Sequence, residues 1–180
     1  MKKLLMIIPL VILLCFAFSC QDKEAMAKLE KFKAQAEVEE QNKAILHRAH
    51  DEVWSKGNLQ VVDELYAPNY VAHWTSGPDT HGLEEFKKII MEAHTAFPGY
   101  TEKIEQIVAE GNLVVTRFTS SGTFTGNLKG IPPTGKKVSR EEIAIHRIVD
   151  GKIMEQWTVA DSLVLMQQLG MELKPKEAEK

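Results

Sequence analysis

The groups able to move protons gather near the C-terminal end of the chain. His146, Glu155 and Asp161 fall close together, with Trp157 between the last two. A carboxylate or imidazole beside an apolar wall suits general acid–base chemistry, because desolvation brings a carboxyl pKa up toward working pH. Asp161 has a second use. It precedes Ser162-Leu163-Val164 and can cap a helix start by accepting from a free backbone N–H. A carboxylate bound to amides is a poorer base, so the two uses pull in opposite directions.

Other chemistries are excluded. The two cysteines are Cys15 and Cys20, so a domain beginning after them has no disulfide, thiolate ligand or thiol nucleophile. His73 and His81 are not at a recognised metal spacing, and no metal is expected. The glycines between Gly126 and Lys137 lack the strand-to-helix context of a phosphate loop. Pro132-Pro133 makes that loop a stiff edge or a dimer contact. His47, His50 and His94 fall on helices and read as packed or exposed. Trp54, Trp74 and Phe86 read as core.

The elements that would position these groups follow from periodicity. Ile45, Leu46, Ala49, Val53 and Trp54 recur at helical spacing, and Gly57-Asn58 ends that helix. Leu59 to Tyr66 is a second short helix. Tyr70 to Trp74 is extended and carries His73. Gly82 to Phe97 is the clearest helix, stopped by Pro98-Gly99. From Tyr100 the period becomes two. Four strands follow: Tyr100–Glu110, Leu113–Phe124, Val138–Val149 and Lys152–Ala160. Asp150-Gly151 is a tight hairpin turn. Asp161 to Gly170 is a last short helix. Helices first and antiparallel strands after predict an α+β fold, with helices packed on one face of a bent, mainly antiparallel sheet.

The hairpin also sets a register. Counting back from Val149 opposite Lys152 pairs His146 with Glu155 and Ala144 with Trp157. On that count His146, Glu155, Trp157 and Val159 share one face, and Asp161 continues it.

Composition bounds the rest. The chain has 180 residues, 44% of them apolar, enough for one compact domain with a core. The formal charge is −3 and no Lys/Arg run stands out, so nucleic acid is not an expected partner. Lys2 and Lys3 followed by the apolar run Leu4 to Phe18 read as an export signal, too short for a comfortable membrane span. Ala17-Phe18-Ser19-Cys20 resembles a lipoprotein cleavage site, with lipid on Cys20. The expected location is the cell envelope, periplasmic or at the outer membrane, with a membrane anchor through that lipid. An ordinary signal peptide with Cys20 incidental is the alternative. Residues 21–41 are a charged helical tether, 42–171 the domain and 172–180 a charged tail.

The segments NYVAHW, EEFKKIIMEAHTAFPG, GTFTGNLKGIPPTGKKV, IVDGKIMEQWTVAD and LMQQLG, in this order from about Asn42 to Met171, resemble the SnoaL-like polyketide cyclases, also called ester cyclases. The resemblance implies the cone-shaped fold of nuclear transport factor 2, with a curved sheet around a ligand cavity, often as a dimer. It implies intramolecular aldol closure of a small hydrophobic carbonyl or ester compound without metal or cofactor. By the resemblance Asp161 is the acid–base and His146 assists it. Trp157, Glu155, His73 and Phe124 are expected around the substrate. Two positions depart from it. Thr123-Phe124 stands where many members have Thr-His, and Phe97-Pro98-Gly99 where many have Phe-Pro-Asp. A binding module that holds a hydrophobic ligand unchanged is the alternative reading, and an interaction subunit held by its sheet face is a third.

Overall fold

The computed structural model describes residues 2–128, 130–172 and 174. Two compact units divide it, residues 1–38 and residues 39–180. The first unit is helical throughout its described length and belongs to helix α1 (Lys2–Arg48). Cys20 and its neighbours through residue 22 have side chains outside the described residues. Among the described residues no helix is long and apolar enough to cross a membrane.

In the second unit, the end of α1 runs into a π-helical segment, Ala49–Ser55. Short π segments are uncommon and tend to occur at functional sites. Asn42 Nδ2 donates to the Gly111 carbonyl at 3.0 Å, and Glu39 Oε1 accepts from Gly111 N at 2.9 Å. Together they pin this stretch to a strand turn. Helix α2 (Leu59–Leu65) starts at Asn58, whose side chain accepts from Gln60 N. Helix α3 (Leu83–Ala96) buries Phe86, Ile90 and Ala96 on one face, and helix α4 (Ser162–Gln168) buries Leu165.

The strands are β1 (Tyr66–Trp74), β2 (Thr80–His81), β3 (Thr101–Glu110), β4 (Leu113–Thr123), β5 (Lys137–Val149) and β6 (Lys152–Ala160). They form one sheet in the order β2-β1-β6-β5-β4-β3. All neighbours are antiparallel except β1 and β6, which run parallel, so the sheet is mixed. The expected α+β class holds, and the helices pack on one sheet face around Trp54, Tyr66, Tyr70 and Phe86. Rings in that cluster lie 4.8 to 5.5 Å apart at tilted or edge geometries, which aromatic quadrupoles favour.

The loop between β4 and β5 is held against the end of α3. Thr125 N and Gly126 N both donate to the Ala96 carbonyl, at 3.2 and 3.1 Å. A Cβ on Gly126 would stand 2.1 Å from the Thr95 carbonyl oxygen, so only glycine allows that approach.

The Asp150–Gly151 turn has positive φ at both residues and places Val149 opposite Lys152, as expected. The register beyond it differs from the simple count. Ile148 pairs with Ile153, but Arg147 pairs with Glu155. Met154 is an extra residue on β6, a β-bulge that reverses the facing of everything after it. Glu155, Trp157 and Val159 therefore do not share the side of His146. Gln156 and Thr158 do, and both are buried.

Candidate functional site

Between the helices and the sheet lies a cavity of about 890 Å³, within the range of small-molecule sites. Trp54, Trp74, Ile89, Phe118, Leu128 and Met166 give it apolar walls. Its polar groups come from strand positions that point inward and from the π segment.

Glu142 on β5 is 5% exposed. Its Oε1 accepts from Ser120 Oγ at 2.5 Å and from Arg140 Nε at 3.0 Å; Oε2 accepts from the Arg140 guanidinium at 3.3 Å. Burial raises its pKa above the ordinary carboxylate value. Glu102 adds to the rise, while the Arg140 charge and the hydrogen bonds from Ser120 and Arg140 pull it back. The net result is a carboxyl that protonates more easily than a solvated one.

His146 is four residues further along β5, on the same face, and is 3% exposed. Burial, helped by nearby His50, pushes its pKa down to about 3. The ring is neutral at physiological pH, and Nδ1 has no hydrogen-bond partner. A neutral imidazole of that kind is a weak base but can still donate or accept toward a carbonyl oxygen. Beside it Gln156 is fixed: Oε1 accepts from Tyr70 Oη at 2.8 Å, and Nε2 donates to Thr158 Oγ1 at 2.5 Å. Burial raises the Tyr70 pKa, so this phenol stays a donor.

A third group joins the helices to β3. His50 Nδ1 stands 2.6 Å from Glu102 Oε2, and Tyr100 Oη donates to Glu102 Oε1 at 2.8 Å. The His50 contact is close in distance but not an aligned hydrogen bond, and neither atom has another such partner. The Tyr100 pKa is raised by burial and then by Glu102.

Of the residues singled out from the sequence, only His146 lines the cavity. Asp161 is exposed and caps α4, accepting from Val164 N at 2.9 Å. Its backbone N–H donates to the Glu141 carbonyl. Phe124 is fully buried and packs on Phe97, with ring centroids 5.3 Å apart, behind the cavity wall. His73, Glu155 and Trp157 meet each other on the opposite sheet face. There the His73 ring stacks on Trp157 at 5.5 Å, its Nε2 contacts Glu155 Oε1 at 2.9 Å, and Nδ1 contacts Asp79 at 2.8 Å. Arg147 pairs with Glu155 and lies over the Trp157 ring.

Glu142, Glu102, His50 and Tyr100 were not picked out by the sequence reading. His50 had a visible signal, since it sits within the apolar stripe of Leu46, Ala49, Val53 and Trp54. Glu142 had one too: it shares inward parity with Ala144 and His146.

Comparison with known proteins agrees with this geometry. The family model described as SnoaL-like polyketide cyclase matches residues 44–169. Aklanonic acid methyl ester cyclase DauD of Streptomyces sp. (strain C5) is 32% identical over 118 residues, covering 61% of this chain and 67% of that one. Nogalonic acid methyl ester cyclase of Streptomyces nogalater is 29% identical over 120 residues, covering 65% and 89%. Among solved structures, a SnoaL-like protein from Jannaschia sp. CCS1 superposes with a TM-score of 0.69 at 25% identity, over 75% of this chain and 95% of that one. IdmH from Streptomyces antibioticus superposes with a TM-score of 0.64 at 30% identity, over 72% and 99%. The fold is that of nuclear transport factor 2, and the chain belongs to the SnoaL-like polyketide cyclase family.

Proposed function

We propose that the chain closes a ring in a small hydrophobic carbonyl or ester compound by cofactor-free acid–base chemistry inside the cavity. One observation carries this: Glu142 is a buried carboxyl of raised pKa in an apolar-walled cavity of about 890 Å³. Aldol closure moves a proton off carbon and onto a new alkoxide oxygen. A carboxyl that is easily protonated suits the second transfer. Glu142 takes the acid role that the resemblance gives to Asp161, because Asp161 lies outside the cavity lining and is committed to the α4 cap. His146, neutral and lining the cavity, assists by turning a ring edge toward a substrate oxygen. The matching cyclases act on methyl esters by their names, which makes a polyketide methyl ester the first compound to try.

The test is incubation of the purified protein with an open-chain aryl keto methyl ester. Ring closure gives an isomer of the same mass with one fewer exchangeable carbon proton. A compound bound tightly and recovered unchanged would establish ligand binding instead.

Two further features complete the proposal. Lipid on Cys20 would hold the domain at the cell envelope, because the apolar run Leu4 to Phe18 stops just before that cysteine. A homodimer would cover the outer sheet face, where Val115, Ile143, Ile145, Trp157 and Val159 are exposed side by side.

A further inference from the structure

We propose that His50, oriented by Glu102 and Tyr100, is the base that removes the proton from carbon, so that the site divides its two proton transfers between two centres. The inference rests on the acid–base reading of the cavity and adds a catalytic residue to it. His50 lines the cavity, is 4% exposed and reaches it from the π segment rather than from the sheet.

Its orientation is built in. With Nδ1 2.6 Å from Glu102 Oε2, a proton on Nδ1 would face the carboxyl and leave the lone pair on Nε2. This is the arrangement of a base held by a carboxylate. The contact is short without being aligned as a hydrogen bond. Glu102 is itself held at three points. Tyr100 Oη donates to Oε1. Ser55 Oγ accepts from Glu102 N at 2.8 Å and contacts the Glu102 carbonyl at 3.3 Å. The same hydroxyl donates to the His50 carbonyl at 2.8 Å. Ser55 thus ties the backbones of the two partners together.

The second centre is close. Glu142 interacts with Glu102, both act on Tyr100, and the assisting His146 ring lies 6.2 Å from that of His50. The Phe118 ring, 4.6 Å from His50 at an edge angle, keeps one side of the imidazole apolar. The steps balance without a further reactant. The substrate C–H bond breaks and its proton goes to His50 Nε2. The resulting enolate carbon bonds to the second carbonyl carbon as that C=O π bond opens. The alkoxide takes a proton from the Glu142 carboxyl. The proton on His50 then returns through solvent to the Glu142 carboxylate, and the product is an isomer of the substrate.

The two transfers separate experimentally with 2-tetralone, a flat bicyclic ketone with no second carbonyl to attack. In D₂O at saturating ketone, wild-type protein should speed deuterium uptake at the carbon next to the carbonyl. His50→Gln should lose roughly 10²-fold or more of that uptake, and Asp161→Asn, outside the cavity lining, should keep it. Glu102→Gln should lower the exchange rate roughly tenfold or more with the half-saturating ketone concentration unchanged, a split that a loss of packing would not give. Circular dichroism checks that each variant is folded. If His50→Gln exchanges like wild type, His50 is not the base and the acid–base cavity stands. If wild type itself gives no exchange above buffer, the dyad and the acid–base reading fall together.

Discussion

Gln156 stands opposite His146 on the β5–β6 ladder, one residue out of step with the turn that joins the two strands. The extra residue is Met154. Without it Glu155 would face His146, and the cavity would meet a carboxylate and Trp157 where it now has Gln156 and Thr158. The amide is also tied across the fold, because its acceptor serves Tyr70, 86 residues away in sequence. Replacing Gln156 by Leu should strand the buried Tyr70 hydroxyl and cost about 1–3 kcal/mol in chemical denaturation. Tyr70→Phe in the same background should recover part of that loss. Additive losses in the double variant would mean the bond carries nothing.

His146 makes stability depend on acid. Its folded pKa of about 3 lies below the ordinary 6.5, so the unfolded chain binds a proton that the folded chain refuses. Between those values stability rises with pH, and the contribution is lost as pH falls from 6.5 toward 3. Glu142 works the other way, since its raised pKa favours the folded state as pH falls toward 4.5. His146→Gln should therefore flatten the acid side of a melting-temperature profile relative to wild type. Parallel profiles for the two proteins would show that the ring is not held neutral by burial.

The outer sheet face should join two copies of the chain. Ile143 and Val159 are cross-strand neighbours, 47% and 62% exposed. Wild type should sediment as a dimer, and Ile143→Lys with Val159→Lys as a folded monomer. A monomeric wild type at every concentration would remove the dimer.

Cys20 should carry the anchor. In cells fed labelled palmitate, the full-length protein should take up label and partition with membranes, and Cys20→Ala should do neither. Equal partition of both proteins would place the attachment elsewhere.

Local signals in the sequence reached a definite distance into this fold. The Asp150–Gly151 turn and the α3 stripe of Phe86 and Ile90 are written within a few residues, so both were legible. The bulge at Met154 was not, because no local pattern marks it. What holds it is the burial of Gln156 against Tyr70 and Thr158, a relation between distant segments. The parallel pairing of β1 with β6, and the short β2, are non-local in the same way. The site followed the same rule. His146 was legible by alternation, whereas Glu155 and Trp157 were carried to the wrong side by one uncounted residue. His50 and Glu102 meet across more than fifty positions, and neither points to the other in sequence. Asp161 was legible as a cap, and a cap is the contact it makes.

The most direct test sets Glu142 against Asp161. Ring closure of the aryl keto methyl ester would be timed for wild type, Glu142→Gln and Asp161→Asn, each shown to be folded. Glu142→Gln should lose about 10²- to 10⁴-fold, and Asp161→Asn should change within a few-fold. The reverse order, with Asp161→Asn inactive and Glu142→Gln near wild type, would contradict this and move the acid out of the cavity to the end of β6.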